Sequence, residues 1–296
     1  MDRPFYIVGP TTVGKSEIAA EVAQRLGAEV LSADAFQIYR GLDLLTAKPD
    51  RATLEKAPHH LIGTVPLGEE MNAEKFRAAA QKILSRDKPI VVVGGTGLYV
   101  KALTHGIAKL SAANPELRAR LERTTNEELF RSFKALDPVG AGKIDAQNRR
   151  RLIRAIEVCL ITRKPFSAQH TEWNESTPAN GVLLERDRAE LYARINQRVE
   201  EMFAAGVVDE VRVAKNIGPT AEKTLGLREI QALIAGEISR AECIAKVQQA
   251  TRRYAKRQLT WFRRQTNFPS LNLSAHDPVE AAELISQSAS RVFAGE

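Results

Sequence analysis

The groups of a phosphate-binding loop occur near the start of the chain, in the stretch Gly9-Pro10-Thr11-Thr12-Val13-Gly14-Lys15-Ser16. This stretch follows the apolar run 5–8 and precedes a helix-like segment, so backbone N–H groups and the positive helix end are expected to converge on a phosphate. Lys15 is placed to reach a terminal phosphoryl oxygen, and the Ser16 hydroxyl to join the shell of a Mg²⁺ ion. The loop predicts a phosphorylated ligand without identifying it.

A carboxylate, Asp34, follows the next short strand, Ala28-Glu29-Val30-Leu31-Ser32. Because the carboxyl ends of parallel strands open onto one ligand crevice, Asp34 is expected beside the phosphate loop. The alternative is a turn or helix-cap carboxylate, which is a common role for Asp.

Two glycines and a hydroxyl, Gly94-Gly95-Thr96, close the strand Ile90-Val91-Val92-Val93. The unbroken apolar character of this strand suits burial on both faces of a parallel sheet. P-loop nucleotide hydrolases usually end such a strand with an Asp that orders the Mg²⁺ shell; here a weaker match, Val182-Leu183-Leu184-Glu185, comes much later. The glycines allow a ligand or backbone to come close, with Thr96 to hydrogen-bond it. A plain strand-to-helix turn is the alternative.

The elements that position these groups alternate between strands and helices, as in an α/β fold. Hydrophobic periodicity predicts strands at residues 5–8, 28–32, 61–63, 90–93 and 181–184, and helices at 16–25, 73–86, 98–103, 188–202, 207–213, 241–264 and 278–292. The pair His59-His60 lacks Cys or carboxylate partners at ligand spacing, so a packing or loop role is predicted for it in preference to metal binding.

The hydrophobic pattern of the sequence changes between Pro115 and about residue 176. Strand signals vanish there, and leucine, isoleucine and phenylalanine repeat at helical intervals. This region therefore predicts an all-helical insertion at 113–180, within an α/β core formed by 1–112 and 181–296. Arginines cluster in it, at Arg118 and at Arg149-Arg150-Arg151 with Arg154 one turn later. They form either a solvated helix face or a phosphate contact.

Basic and aromatic residues interleave at the end of the long helix, from Arg252 to Arg264. Such a pattern suits a nucleic-acid backbone with stacking side chains. For Trp261 and Phe262 taken singly, a role as core anchors is the alternative.

The composition fits a soluble, cytoplasmic protein with a polyanionic partner. The 296 residues carry a formal charge of +7, with 43 basic residues. Two distant cysteines, Cys159 and Cys243, offer no disulfide framework, which fits a reducing compartment. No apolar run approaches the ~20 residues needed to span a bilayer, so no membrane contact is expected.

Taken together, the motifs resemble the tRNA dimethylallyltransferases, bacterial enzymes that prenylate an adenosine beside the anticodon. The resemblance runs from Ile7 to about Phe268. It is carried by the phosphate loop, Ser32-Ala33-Asp34, Ile38-Tyr39-Arg40-Gly41-Leu42-Asp43, Thr46-Ala47-Lys48-Pro49, Pro58-His59-His60-Leu61, Gly94-Gly95-Thr96, Leu98-Tyr99, Arg151-Leu152, Arg154-Ala155, Lys256-Arg257-Gln258 and Thr260-Trp261.

The resemblance implies an α/β fold, namely a P-loop NTPase-like parallel sheet flanked by helices with an inserted all-helical domain. It implies dimethylallyl diphosphate and the tRNA anticodon stem-loop as substrates and Mg²⁺ as the ion. A monomer is expected, although the sequence does not fix the oligomeric state. Two departures occur: Ala35-Phe36 stands where the family usually has a Ser after the acidic residue, and Leu227 where it usually has Tyr. Neither removes a residue that the chemistry needs.

The resemblance and the residue chemistry together predict the site. Asp34, Thr96 and Lys15 are the expected catalytic residues, Gly9 to Ser16 and Arg228 hold the diphosphate, and Ser16 binds the metal. The expected tRNA contacts are Asp34, Ala35, Phe36, Gln37, Thr96, Arg118, Arg150, Arg151, Leu152, Ile153, Arg154, Lys223, Gly226, Arg228, Lys256, Arg257, Gln258, Trp261 and Arg263.

Two other functions fit part of the pattern. The phosphate loop and Asp34 also suit a small-molecule or nucleotide kinase, which Gly94-Gly95-Thr96 and the basic insertion disfavour. A non-catalytic, nucleotide-gated RNA-binding protein would show tight tRNA binding without product.

Overall fold

A computed structural model describes residues 4–106, 114–169 and 180–295 of the chain. Its residues form two compact units, one from Met1–Thr104 with Pro178–Glu296 and the other from His105–Thr177. The second unit is an insertion in the sequence of the first. The predicted boundary at 112/113 lies outside the described residues.

A six-stranded parallel sheet forms the centre of the first unit, with the order β3-β2-β4-β1-β5-β6. The strands are β1 (Phe5–Val8), β2 (Glu29–Ser32), β3 (His59–His60), β4 (Ile90–Gly94), β5 (Asn180–Glu185) and β6 (Ser270–Asn272). The predicted α/β class is confirmed. In the register of the sheet, Ile7 of β1 pairs with Val93 of β4 on one side and Val182 of β5 on the other.

Alternate residues of the central strands enter two separate apolar cores, because successive side chains of a strand point to opposite faces. On one face, Phe5 and Ile7 pack in a core that includes residues of the first and last helices. On the other face, Tyr6 and Val8 pack with Phe76 and other buried side chains. The predicted burial of the 90–93 run on both faces is confirmed, since all four residues are buried.

The predicted helices of this unit lie close to their expected positions. The helices are α1 (Lys15–Leu26), α2 (Arg51–Glu55), α3 (Ala73–Leu84), α4 (Gly97–Thr104), α10 (Arg188–Ala204), α11 (Val207–Val213), α12 (Leu227–Ile234), α13 (Arg240–Gln265) and α14 (Pro278–Ala294), with a short 3-10 turn at Ala221–Lys223. Two of them, α2 and α12, were not predicted. In the described residues, no helix is both long and apolar enough to cross a membrane.

The predicted strand at 61–63 is wrong. Leu61 and Gly63 have positive φ angles of 59° and 60°, which no extended strand contains, so the strand ends at His60. His60 Nε2 instead lies 2.7 Å from Glu29 Oε2, and His59 Nδ1 lies 2.7 Å from the Ala57 carbonyl oxygen. His60 therefore ties the edge strand β3 to β2, whereas His59 bonds within its own turn; both contacts fit the packing or loop role that was predicted.

Helices α10 and α13 pack against each other in antiparallel directions. Early in α13, Arg240 donates to the Phe203 carbonyl oxygen near the end of α10. Later in α13, Gln248 and Arg252 both contact Asn196, which lies earlier in α10. A third apolar cluster fills the space between α10, α11, α12 and α13.

The inserted unit is helical throughout its described residues, as predicted. It contains α5 (Pro115–Glu122), α6 (Asn126–Leu136), α7 (Pro138–Ala141), α8 (Arg149–Thr162) and α9 (Phe166–Gln169). Leu129 and Phe133 of α6 pack with Leu152 and Ile156 of α8 in its core. A capping box at Thr125 starts α6, which explains why that helix begins where it does.

Candidate active site

Three neighbouring strands end at the same edge of the sheet. The phosphate loop follows β1, Ala33-Asp34 follows β2, and Gly95-Thr96 follows β4; in the register, Val8 pairs with Gly94 and Ser32 with Val93. The phosphate loop, Asp34 and Gly94 line one cavity of about 390 Å³. A ligand in this cavity therefore meets both the loop and the carboxylate.

The phosphate loop bends through backbone conformations that glycine adopts easily. Gly14 has a φ of 106° and caps the start of α1, and a Cβ at Gly9 would lie 2.5 Å from the Leu184 carbonyl oxygen. Thr12 has a φ of 67°, an uncommon value for a residue other than glycine. Such strain is frequent in ligand-binding loops.

Lys15, at the first turn of α1, folds back over the loop. Its Nζ donates to the Pro10 carbonyl oxygen at 2.6 Å. Removal from water lowers the pKa of Lys15 to about 8, Asp34 opposes that effect, and the positive charge of Arg198 adds to it. A bound anion would oppose this lowering, because it favours the ammonium form.

Two arginines of α10 that the sequence interpretation missed also reach the loop. Arg198 Nη1 donates to the hydroxyls of Thr12 at 3.0 Å and Thr11 at 3.3 Å, and Arg194 Nε donates to the Thr12 carbonyl oxygen at 3.4 Å. Both line the large cavity. Burial lowers the pKa of Arg198, but an arginine remains charged near neutral pH.

Asp34 lies beside the phosphate loop, as predicted, and it also has the turn-capping role that was given as the alternative. Its Oδ1 accepts hydrogen bonds from the backbone N–H groups of Phe36 at 2.9 Å and Gln37 at 3.2 Å, so it caps the turn that follows β2. Its Oδ2 makes no hydrogen bond to any residue that the structure describes. The carboxylate is thus fixed by one oxygen while it lines the cavity beside the loop.

Thr96 connects the end of β4 to the turn of Asp34. Its Oγ1 accepts from the Ala35 N–H at 3.0 Å, and its carbonyl oxygen accepts from the N–H groups of Tyr99 and Val100, which starts α4. The strand-to-helix turn of the alternative interpretation is therefore present, and the hydroxyl adds a link between two strand ends. The Thr96 side chain also interacts with the Tyr254 hydroxyl of α13.

Tyr254 is a further residue that sequence reasoning did not assign to the site. Its hydroxyl interacts with the side chains of Thr96 and Gln258, and burial, assisted by the negative charge of Asp34, raises its pKa. The hydroxyl therefore stays neutral throughout the physiological pH range.

Gln258 joins the two loops from α13. Its Oε1 accepts from the backbone N–H of Thr11 at 2.8 Å, and its Nε2 donates to the Gly95 carbonyl oxygen at 2.9 Å. A Cβ at Gly95 would lie 2.2 Å from that nitrogen, so the close approach requires glycine. Gln258 was predicted as a tRNA contact; it is buried, and both ends of its amide are engaged within the protein.

Glu185 was the weaker sequence match to the strand-ending carboxylate of a P-loop hydrolase, but its side chain is engaged in an ion pair. Arg263 donates to both of its oxygens, at 2.9 and 2.6 Å, and holds the pKa of Glu185 below its usual value. It does not line the large cavity. The same ion pair engages Arg263, which was predicted as a tRNA contact.

A smaller cavity of about 50 Å³ opens beside the large one, and we call it the apolar annex. The two cavities share Thr11, Asp34, Thr46 and Arg198. The remaining walls are mostly apolar, and they are formed by Phe36, Leu45, Val199, Met202, Thr224, Leu225, Val247, Thr251 and Tyr254.

Arg228, predicted as a diphosphate ligand, lines neither cavity. Its side chain is 72% exposed at the start of α12 and lies 3.7 Å from Glu222. Arg198 and Arg194 occupy the cavity in its place. Of its predicted neighbours, Lys223 is exposed, and Gly226 is buried with a φ of 90° that starts α12.

Around the turn of Asp34, Ala35, Phe36 and Gln37 are half-buried. Gln37 Nε2 donates to the Ala47 carbonyl oxygen at 2.9 Å, which holds the next loop. On α13, Lys256 and Arg257 are exposed, whereas Trp261 is half-buried against Phe262 and Gly97.

In the helical unit, the predicted tRNA contacts separate into two groups. Leu152 and Ile153 are buried in its core, so their side chains present no surface to RNA, which corrects that prediction. Arg150 and Arg151 are exposed. Residues that follow an exposed residue in a helix need not be exposed themselves, because the helical period places successive side chains on different faces. Leu152 and Ile153 therefore face the core although Arg150 and Arg151 are exposed.

Arg118 and Arg154 of this unit both bind Glu157, whose side chain is fully buried. Burial alone would raise the pKa of Glu157, but the hydrogen bonds from the two arginines and from the Asn114 N–H lower it below its usual value. These two cations therefore neutralise an internal charge, a role that the sequence interpretation did not assign to them.

The oxygen donors around the phosphate loop suit Mg²⁺. No group of three or more His, Cys, Asp or Glu side chains gathers into a metal cage in the described ranges. Magnesium needs no such cage, because it keeps several waters and takes most other ligands from phosphates. Ser16 and Asp34 line the cavity with hard oxygen atoms, which fits that pattern.

Comparison with known proteins places this geometry in a family context. Residues 37–265 match a family model described as IPP transferase. The chain is 39% identical over 281 residues to a tRNA dimethylallyltransferase of Akkermansia muciniphila, covering 94% of this chain and 96% of that protein. It is 42% identical over 276 residues to one of a Caulobacter species, covering 88% and 89%.

Solved structures agree. The full-length tRNA isopentenylpyrophosphate transferase of Bacillus halodurans superposes with a TM-score of 0.72 at 31% identity, covering 100% of this chain and 98% of that one. A eukaryotic dimethylallyltransferase crystallised while acting on tRNA gives a TM-score of 0.85 at 22% identity, covering 100% and 80%. At that identity, the second likeness concerns the fold alone.

Proposed function

The chain belongs to the IPP transferase family, and we propose that it transfers a dimethylallyl group from dimethylallyl diphosphate to N6 of the adenosine 3′-adjacent to the anticodon in tRNA. One observation carries the assignment of chemistry: a carboxylate, Asp34, lies in the same cavity as a phosphate loop. The relatives named tRNA dimethylallyltransferase support the substrates.

The phosphate loop holds the leaving group. As the C–O bond of the allylic carbon breaks, its electron pair moves onto the diphosphate, whose growing charge needs fixed positive partners. The loop N–H groups, Lys15 and Arg198 supply them without reorganisation. Gln258 already takes the Thr11 N–H, so that amide shapes the loop and does not serve the phosphate.

Asp34 accepts the proton. The exocyclic amine of adenine is a poor nucleophile because its lone pair is delocalised into the ring, so a base must remove a proton as the C–N bond forms. Asp34 is held by Oδ1, which leaves Oδ2 for that proton. Thr96 and Tyr254 position the carboxylate turn and the amine around it.

Mg²⁺ is the expected ion. Ser16 would hold it together with diphosphate oxygens, and when bound it would neutralise part of the charge on the leaving group. The carboxyl end of the sheet also has to exclude water, which competes for the allylic carbon.

RNA binding draws on exposed cations in both units. Arg150 and Arg151 lie at the start of α8, and Lys256 and Arg257 lie on α13. Contacts of this kind neutralise phosphates and release counterions, so the affinity falls steeply with salt. The target base must leave the stacked loop, which costs less in a loop than in a duplex. We expect a monomer that acts in the cytoplasm.

The deciding experiment incubates the protein with labelled dimethylallyl diphosphate, Mg²⁺ and unmodified tRNA, and then analyses the nucleosides. We expect the label on the adenosine beside the anticodon, with release of diphosphate. Label on no nucleoside, together with ATP turnover in the absence of tRNA, would instead identify a kinase.

A further inference from the structure

The apolar annex runs along a groove between α10 and α13. Arg198 and Met202 stand four residues apart on α10, and Tyr254, Thr251 and Val247 follow one another at spacings of three and four on α13; all five line the annex. Such spacings place side chains on one face of a helix. The annex therefore has a reactive end at Arg198 and Tyr254 and a far end at Met202 and Val247.

The length of the annex follows from helical geometry. Four residues of α10 advance about 6 Å along the axis. At the reactive end, Arg198 donates to the Thr12 hydroxyl of the phosphate loop, and Tyr254 and Asp34 both line the annex. At the far end, Met202 and Val247 are 8% and 3% exposed.

The far end is closed by tightly packed neighbours. Val247, Met202 and Leu45 belong to the apolar cluster between the helices. Gly226 lies behind them, and a Cβ there would approach the methyl carbons of Leu45 at 3.2 Å and of Val247 at 3.3 Å. The wall consequently has little room to yield toward Gly226.

We propose, building on the function proposed above, that the annex receives the hydrocarbon tail of the prenyl diphosphate and that Met202 and Val247 limit this tail to one five-carbon unit. The diphosphate and the tail are joined by a single C–O bond, so the tail site must adjoin the phosphate site. The annex meets this condition, because the two cavities share Thr11, Asp34 and Arg198.

Its walls have the matching chemistry. Leu45, Val199, Met202, Leu225 and Val247 offer apolar surface to a hydrocarbon, with few polar groups to desolvate. A ten-carbon chain extends past one helical turn and would collide with the Met202 and Val247 side chains, whereas a five-carbon unit ends before them. These two residues are specificity determinants and take no part in the chemistry.

The test compares geranyl diphosphate with dimethylallyl diphosphate as donors to the same tRNA. In Met202→Ala and in the double variant with Val247→Ala, the ratio of kcat/KM for the ten-carbon over the five-carbon donor should rise at least tenfold over that of the unchanged protein, since each methylene is worth roughly 10-fold or more in a closed pocket. The matched control is Val211→Ala, because Val211 is equally buried in the same cluster and does not line the annex.

The outcomes separate this inference from the proposed function. If the unchanged protein prenylates tRNA and the ratio rises in the annex variants alone, the inference stands. An unchanged ratio in folded variants, or an altered KM for tRNA with no change in donor preference, overturns it and leaves the proposed function intact. Absence of prenyl transfer by the unchanged protein overturns both. Thermal melting of each variant establishes that it is folded, and Val247→Phe, which shortens the annex, should lower kcat/KM for the five-carbon donor.

Discussion

Gln258 accepts a hydrogen bond from the backbone N–H of Thr11 at 2.8 Å, although the two residues are 247 positions apart in the chain. The same amide donates to the Gly95 carbonyl oxygen, so one buried side chain fixes the phosphate loop against the turn that carries Thr96. The separation between the leaving-group site and the base site thus depends on α13, which touches the ends of both strands.

Replacement of Gln258 by leucine should disturb this spacing. The change leaves the Thr11 N–H and the Gly95 carbonyl without partners, at an expected cost of about 1–3 kcal/mol in the free energy of unfolding. We expect a fall in kcat larger than the rise in KM for the donor, because the loops lose their relative position. Denaturant unfolding and steady-state kinetics check both. Gln248→Leu on the same helix, where the amide contacts Asn196 and Glu200 near solvent, is the control; an equal loss there would contradict the positioning role.

Substitution of Asp34 by asparagine separates its two roles. The amide oxygen of asparagine can still accept from Phe36 and Gln37, so the turn and the tRNA affinity should survive. The amide cannot take a proton, so prenyl transfer should fall by about 10²–10⁴-fold. Single-turnover transfer and tRNA filter binding measure the two quantities. A near-normal rate in Asp34→Asn would remove the general-base assignment, and equal loss of binding and transfer would reduce Asp34 to a cap.

Arg198 should matter more for the prenyl donor than Arg228. Arg198 touches both threonines of the loop inside the cavity, whereas Arg228 is largely exposed beside Glu222. Arg198→Ala should therefore lower kcat/KM for the donor by about 10²–10³-fold, the range for loss of one donor to a developing anion. Arg228→Ala should produce a much smaller loss. The reverse order would restore the sequence-based assignment of the clamp.

The donor affinity should depend on pH through Lys15. Its pKa in the protein is lowered to about 8. The ammonium form binds an anion, so affinity is complete below that pH and declines by up to tenfold for each pH unit above it. The profile of kcat/KM for the donor at saturating tRNA reports this decline. In Lys15→Arg, whose guanidinium stays charged, the inflection near 8 should vanish; its persistence would assign it to another group.

The arginines of the helical unit should fall into two classes, one that stabilises the fold and one that binds tRNA. Arg118→Ala leaves buried Glu157 with fewer partners and should cost about 1–3 kcal/mol of stability. Arg150→Ala and Arg151→Ala should leave stability unchanged and should each reduce the salt dependence of tRNA binding by about 1 in log–log slope. Unfolding curves and binding at several salt concentrations distinguish the two classes. A full salt slope in the Arg150 and Arg151 variants would remove them from the RNA contact.

Local chemistry explains why the centre of the site was predictable from sequence. A loop such as Gly9–Ser16 is specified by consecutive residues, because glycines, lysine and serine all act on one phosphate. Asp34 and Thr96 were found because parallel strands end at one edge, a rule that requires only the strand positions. Hydrophobic periodicity failed at residues 61–63, because the positive φ angles of Leu61 and Gly63 end the strand at His60.

The site residues that the sequence analysis did not identify lie on α10 and α13, far along the chain from the phosphate loop. Arg194 and Arg198 are two of several arginines on α10, and the period of a helix does not say which loop its face will meet. A signal was present nonetheless: both flank the buried stripe Leu191, Ile195, Val199 and Met202, and do not lie opposite to it. On α13, Tyr254 was not assigned to the site and Gln258 was assigned to tRNA, because the basic charge of this helix suggested RNA binding. The hydrogen bonds of Gln258 are instead internal.

The position of β1 in the middle of the sheet sets an order of assembly during synthesis. Its first neighbour, β4, is complete at residue 94, but its second, β5, is made only after the helical unit has been translated. At the usual speed of a ribosome this interval is on the order of ten seconds. The helical unit relies on contacts close in sequence and can fold within it, whereas the nascent phosphate loop waits beside an open sheet edge. A ribosome pause between residues 95 and 185 should therefore lengthen the time for which this edge of the sheet is exposed.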